Sequence, residues 1–282
     1  MTISDTLFPR RLGESDAVSG FNMSTEAGWN QTEHDWTVMI RTGQGIGLVD
    51  SSDQFVATSI LVPFLPDVDW VSMVLVTTPW RMKGVGSRLM RLVTELSPNP
   101  ILGLDATDQG LALYKKLGFV ATEEITRYRR TERVDSGNTD NSDQIVSVTR
   151  EQFPELLIPF ASRADESRRR LLQQLDTTSG GMVCMVRGDS PVSLASIRPG
   201  RVSNQIGPLF ATDAASAVGI LKSIVASRGE SLIIDVPDRH TAFSAQLPLM
   251  GFQPVRTFVR MFKGGLPPPN PFEYAIAGPE FG

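Results

Sequence analysis

The chain is poor in the residues that most often carry metal or nucleophile chemistry. It has one cysteine, Cys184, and two histidines, His34 and His240, in 282 residues. A single cysteine has no internal disulfide partner and cannot build a thiolate cluster. Any Ser-His or Cys-His nucleophilic site would have to use one of those two histidines. No metal centre is expected. Long apolar runs are also missing: Met73 to Val76 and Leu232 to Ile234 fall far short of the roughly 20 residues of a membrane helix. Met1 to Leu12 shows no apolar signal core, so a cytoplasmic location is expected, with no membrane partner. Basic charge is not in excess. Lys and Arg number 27 against 31 Asp and Glu, for a net charge of -4 and a pI near 5.3. That excludes attachment to nucleic acid through general basicity.

Hydrophobic residues at 41% and charged residues at 21% match a globular chain, long enough for one large or two modest domains. The polar run TERVDSGNTDNSDQ, Thr131 to Gln144, reads as a connection. The expected organisation is a first domain over 1–132, a linker over 133–144, a second domain over 145–265 and a C-terminal segment over 266–282.

Both parts alternate helical and strand patterns. In the first, Asp16 to Trp29 and Thr32 to Arg41 read as helices, Thr32 being an N-cap. The β-rich run Trp70 to Thr77 reads as a buried strand. A helix Gly86 to Leu96, a short strand, a helix Thr107 to Leu117 and a strand Phe119 to Arg129, expected to be interrupted, complete it. The second part repeats the order. Thr212 is expected to cap a helix reaching Ser227, and Arg239 to Leu249 to form one helix. Leu117-Gly118-Phe119 has a counterpart in Met250-Gly251-Phe252, an internal repeat of architecture. After LPPPNP, which should be extended, Phe272, Tyr274 and Phe281 predict a segment that docks.

Chemistry concentrates at Arg81-Met82-Lys83-Gly84-Val85-Gly86, between a buried strand and an amphipathic helix. Such a turn aims backbone N–H groups at one point beside a helix N-terminus, and its glycines allow close approach of a phosphate or pyrophosphate. It is neither a Walker loop nor a dinucleotide fingerprint. Gly43-Gln44-Gly45-Ile46-Gly47 enters a strand, the wrong order for phosphate binding, and Cys184 in MVCMV reads as a core residue.

Downstream stand Leu104-Asp105-Ala106-Thr107, Gly110 and Tyr114-Lys115-Lys116-Leu117-Gly118-Phe119. Together with the R-x-x-G-x-G turn, this resembles the acyl-CoA site of the GCN5-related N-acetyltransferases, the GNAT superfamily, over roughly residues 7–130. The fold class implied is α/β (α+β): two tandem GNAT-like domains, each a mixed, mostly antiparallel twisted sheet flanked by helices, with a splayed parallel strand pair. The resemblance implies an acetyl-CoA-dependent N-acetyltransferase. Val74, Leu75 and Val76 would line the pantetheine arm. Arg81, Met82, Lys83, Gly84, Val85, Gly86 and Ser87 would hold the pyrophosphate, with Thr107 nearby. Tyr114 would protonate the departing CoA thiolate. Where relatives often carry Asn and Ala, this chain has Thr107 and Gly110. The acceptor would be a small-molecule amine or a lysine or amino-terminal group. Acceptor-side candidates are Glu26, Trp29, His34, Asp35, Asp67 and Asp69, though Asp35 also suits a helix start and Trp29 packing. The second half lacks the glycine turn and has Leu247 at the Tyr114 position, which implies a degenerate domain without CoA. A non-catalytic acyl-CoA-binding or regulatory module and a mycothiol-synthase-like transferase stand as alternatives, as monomer or homodimer.

Overall fold

The computed structural model describes residues 6–131, 144–160, 166–175 and 181–282. The expected linker therefore lies outside the described residues, apart from Gln144. Local chemistry sets many element boundaries. Thr32 and Asp35 form a capping box: the Thr32 hydroxyl accepts the Asp35 amide at 3.2 Å, and Asp35 accepts the Thr32 amide at 2.7 Å. This closes the N-terminus of a helix whose buried face carries Trp36 and Met39.

The first half runs β1 (Phe8–Arg11), α1 (Ala17–Glu26), α2 (Glu33–Thr42), β2 (Gln44–Val49), β3 (Phe55–Leu65), β4 (Val68–Val76), α3 (Val85–Leu96), β5 (Ile101–Ala106), α4 (Asp108–Lys116) and β6 (Val120–Arg130). The second runs β7 (Gln144–Val148), α5 (Phe153–Leu157), α6 (Glu166–Gln174), β8 (Met182–Arg187), β9 (Ser190–Arg198), β10 (Asn204–Ala211), α7 (Ala214–Ala226), β11 (Leu232–Pro237), α8 (Thr241–Ser244), β12 (Gln253–Lys263) and β13 (Glu273–Ala275).

Three local expectations are corrected. The strand β6 is continuous over eleven residues, because it pairs on both sides, with β12 and β11. The cap of α7 is Asp213, whose carboxylate accepts the Ser216 amide at 2.7 Å; the Thr212 hydroxyl instead points to Val192 and Asp213. The expected helix 239–249 is broken into α8 and a 3-10 turn at Pro248–Met250, since Pro248 has no N–H for a continuing helix.

One sheet of thirteen strands spans the described residues, in the order β1-β2-β3-β4-β5-β12-β6-β11-β10-β9-β8-β7, with β13 on β10. The halves exchange their last long strands. β5 pairs with β12, β11 pairs with β6, and β12 and β6 pair with each other, all antiparallel. The buried Arg130 guanidinium at the end of β6 accordingly donates to the Val225 and Arg228 carbonyls of the other half.

Parallel pairing occurs twice, and each time it stops early. β4 and β5 pair only through Val68–Ile101, Asp69–Leu102 and Trp70–Gly103. β10 and β11 pair only through Asn204–Leu232, Gln205–Ile233 and Ile206–Ile234. Beyond these points the strands splay. In the second half the gap is filled by the chain itself. β13 pairs with β10 at Leu209–Ala275 and Phe210–Glu273. The Ala211 amide donates to the Phe272 carbonyl, and the Ile276 amide to the Asp235 carbonyl, on the two sides of the gap. Tyr274 is buried there with Phe243 and Phe281 is buried further on, so the C-terminal segment docks through two of its three aromatics, while Phe272 is exposed.

Candidate active site

In the first half the corresponding gap is a cavity of about 340 Å³. Its walls come from Val71–Val74 of β4, Leu104 and Asp105 of β5, and Thr107 and Tyr114 beside and on α4. The α1–α2 loop adds Trp29, Asn30 and Gln31, β6 and β12 add Arg127, Arg129 and Arg256, and the C-terminal segment adds Pro279 and Glu280. A register shift between Thr58 and Ile60, together with Met73 at φ 53°, marks a bulge in β4 at the cavity wall.

Tyr114 is buried against Phe119, with ring centroids 5.9 Å apart and edge-on. A phenol is protonated at neutral pH, and burial pushes this hydroxyl further above the usual phenol range. Gly110, one turn earlier, leaves room for the ring: a Cβ there would meet Tyr114 Cε2 at 2.5 Å. Of the expected pantetheine-side residues, Val74 lines the cavity. Leu75 is buried in the core shared with Met73, and Val76 packs with the α3–α4 layer.

The turn before α3 has the features its sequence suggests. Gly84 caps the helix in the left-handed region at φ 79°, and Met82 takes φ 59° with its side chain fully in solvent. The loop's amides at Trp80, Arg81 and Arg88 donate within the turn. Those of Met82 to Ser87 donate to no protein acceptor among the described residues. These are the orphan amides of a helix N-terminus, the positive end of its dipole. Val85 anchors the turn in the core at 1% exposure. Arg81 folds back, donating from Nε to the Val76 carbonyl at 2.9 Å, and Lys83 lies over the Trp80 ring.

The acceptor-side candidates scatter. Trp29 lines the cavity. Glu26 instead accepts the Thr78 amide and hydroxyl at 2.8 and 2.6 Å, which holds its carboxyl below the usual range and ties α1 to the phosphate-side turn. His34 is exposed and reaches the Gln174 carbonyl. Asp35 is 1% exposed and bridges to Arg198 of the second half at 2.8 Å. Asp69 accepts from Ser97 and Asn99 at the paired end of β4, away from the splay.

Several cavity residues escaped the sequence reading. Asn30 and Arg201 stitch the α1–α2 loop to the second half: Asn30 Oδ1 accepts the Val202 and Ser203 amides, and Arg201 Nε donates to the Trp29 carbonyl. Arg127 is held bidentate by Asp235 at 2.7 and 2.8 Å, and Asp105 by Arg260 at 2.9 Å twice. Burial pushes the Asp105 carboxyl up, against the pull of Arg260. Glu280, 5% exposed, comes from the C-terminal segment. The docking signal in Phe272, Tyr274 and Phe281 was the one trace of it.

The second half shares the frame and lacks the equipment. Phe119 N–H bonds to the Tyr114 carbonyl and Phe252 N–H to the Leu247 carbonyl, with Gly118 and Gly251 both left-handed. The two positions thus correspond in space, one a tyrosine and the other a leucine. The α7 N-terminus is closed by Asp213, whose carboxyl sits below its usual range through the Ser216 amide.

The match to a known family falls on the second half of the chain. A family model described as an acetyltransferase (GNAT) domain matches residues 162–276. The chain is 23% identical over 261 residues to the uncharacterized N-acetyltransferase YitH of Bacillus subtilis, covering 89% of each. It is 25% identical over 227 residues to the holothin acyltransferase of a Pseudoalteromonas species, covering 79% of this chain and 76% of that one. A putative acetyltransferase structure from Pyrococcus horikoshii superposes with a TM-score of 0.79 at 18% identity, over 98% of this chain and 96% of the other.

Proposed function

We infer that this chain, a member of the GNAT superfamily with the fold present twice, is an acyltransferase that moves an acetyl group from acetyl-CoA to a primary amine in its first half. The observation that carries this is the contrast between two equivalent gaps. The one between β10 and β11 is filled by β13, while the one between β4 and β5 is a cavity in the half that carries the glycine turn, whose amides have no protein acceptor among the described residues.

The residues present suit such a donor. Pyrophosphate oxygens match the amides of Met82 to Ser87 and the helix dipole. Nothing lies within 4 Å of a Cβ at Gly84, so the backbone is open to close approach. The unpaired edge of β4 beyond Trp70 suits a pantetheine arm, which pairs like an added strand. Tyr114, a protonated phenol in the cavity wall, suits donation to the thiolate as the C–S bond breaks. Thr107 is the neighbouring hydroxyl. The acceptor is a primary amine of a small molecule or of a lysine or amino-terminal group, entering past Trp29 and the loop that the second half holds in place.

The test is calorimetry with acetyl-CoA, followed by thiol release against a panel of amino acids, polyamines and aminoglycosides. Binding with amine-dependent release is expected. Absence of acetyl-CoA binding sinks the reading, and binding without release by any amine points to a non-catalytic module.

A further inference from the structure

The C-terminal segment leaves the second half's gap and passes along the wall of the first half's cavity before its last residues reach Arg168. After β13 it crosses the sheet, Ile276 packing with Ile125 and Phe258. The Trp70 indole N–H then fixes the Pro279 carbonyl at 2.8 Å. The next residue, Glu280, forms part of the cavity wall with Tyr114, Trp29 and Gln31. Arg198 donates to Glu280 Oε1. Among the described residues Glu280 Oε2 has no hydrogen-bond partner, and neither has Oε1 of Gln31, itself 6% exposed. Glu280 and Gln31 thus each bring a buried oxygen without a donor to the set of residues that lines one cavity. Leaving such groups unpaired is costly, and a ligand that brings N–H donors removes the cost.

We propose that Glu280 is the acceptor-side catalytic carboxylate, which binds the ammonium of the primary amine together with Gln31 and takes its proton. The proposal rests on the acetyl-transfer reading above. The cavity wall also carries Arg129 and Arg256, but the charge immediately at the Glu280 carboxylate is negative. The Arg198 guanidinium is shared by two carboxylates, Asp35 and Glu280, at 2% exposure of its side chain, so the cluster is one negative charge in excess. The nearby Arg127 is already engaged by Asp235. Burial pushes the Glu280 carboxyl up, Asp35 adds to this, and Arg198 and Arg127 oppose it. A carboxylate so raised is a stronger proton acceptor.

The proton balance closes. The ammonium gives one proton to Glu280 and becomes a free amine. Its lone pair forms the C–N bond at the thioester carbonyl, the C–S bond breaks, and the sulfur takes the Tyr114 proton. The second N–H proton of the attacking nitrogen restores Tyr114, and Glu280 releases its proton to solvent. The products are the amide, CoA thiol and one proton.

The experiment uses the full chain with Glu280→Gln, Glu280→Asp and Gln31→Met, and the amine from the panel that gives the fastest thiol release. For Glu280→Gln, kcat/KM near neutral pH should fall by roughly 10²–10⁴. The deficit should shrink as pH rises toward the amine's own pKa, because free amine then needs no base. Affinity for acetyl-CoA should stay within about twofold, and Glu280→Asp should keep part of the rate. A deficit that is constant with pH, a loss below about tenfold, or a parallel loss of acetyl-CoA affinity overturns the assignment. If Glu280→Gln does not fold, Gln31→Met decides: a raised amine KM with unchanged acetyl-CoA affinity is required. Failure of the wild-type chain to bind acetyl-CoA or to release thiol removes the underlying reading instead.

Discussion

Gly110 lies directly under the Tyr114 ring: a Cβ at Gly110 would sit 2.5 Å from Cε2 and 3.2 Å from the hydroxyl oxygen. The ring's pose in the cavity therefore depends on a missing methyl group four residues earlier. Tyr114→Phe should slow turnover by roughly 10²-fold or more, the range for a lost general acid, with little change in acetyl-CoA affinity. Gly110→Ala should reproduce the turnover defect while the tyrosine remains, at about 1–3 kcal/mol of stability from overpacking. Steady-state kinetics with calorimetry checks both; unchanged turnover in Tyr114→Phe removes Tyr114 from the acid role.

The glycines of the phosphate-side turn should separate by position. Gly86 faces Leu113 at 3.4 Å and Val76 at 3.8 Å, ordinary contact distances for a methyl. Gly86→Ala should therefore fold normally, whereas Gly86→Trp should abolish acetyl-CoA binding by filling the approach. Gly84 sits at φ 79° in open space, so Gly84→Ala should lose about 1 kcal/mol through backbone strain alone. Thermal melts with and without acetyl-CoA distinguish these outcomes.

Asp35 serves two functions in the fold, capping α2 and holding Arg198. Asp35→Ala should cost about 3–5 kcal/mol, since it leaves a buried guanidinium with a lost partner. His34→Ala, one residue away and exposed, should stay within about 0.5 kcal/mol. Denaturant melts of the two variants provide the comparison; equal stability would contradict the placement of Asp35 in the inter-half contact.

His240 stacks on Tyr274 with centroids 4.0 Å apart, and its Nε2 lies 2.9 Å from the Glu273 carbonyl. Burial and then Arg239 lower its pKa from 6.5, against the Glu273 carbonyl and Glu123. The unfolded chain thus binds this proton at a higher pH than the folded one. Stability from this group is present above about pH 6.5 and declines as pH falls toward the lowered folded value. Melting temperature should drop between pH 7.5 and 5.5, and the drop should be smaller in His240→Gln, which keeps an N–H donor. A wild-type curve no steeper than the variant's would refute the assignment.

Much of this was legible in the sequence because it is local. The Thr32–Asp35 box, the left-handed glycine turn and the Tyr114-to-Phe119 helix stop are each set within a few residues. What was hidden depends on separation along the chain. Asp35 reads locally as a helix-start charge, and nothing in its neighbourhood announces Arg198, 163 positions away. Glu280 sits in an irregular segment with no motif, and its place in the cavity follows from Trp70 binding Pro279. The single-helix reading of 239–249 failed on Pro248, and the Thr212 cap failed because the adjacent aspartate competes better for the helix amides.

The interchange of β6 and β12 has a mechanical consequence. Each half closes its sheet only with a strand drawn from the other, so neither is a freestanding folding unit. A protease site engineered into residues 132–143 should, once cut, leave two fragments that co-migrate on size exclusion and melt in one transition. Separately expressed fragments should be insoluble alone and recover activity when refolded together. Evolution of such a chain is then constrained as a pair: the half without the glycine turn cannot be deleted, because the other would be left with an open sheet edge.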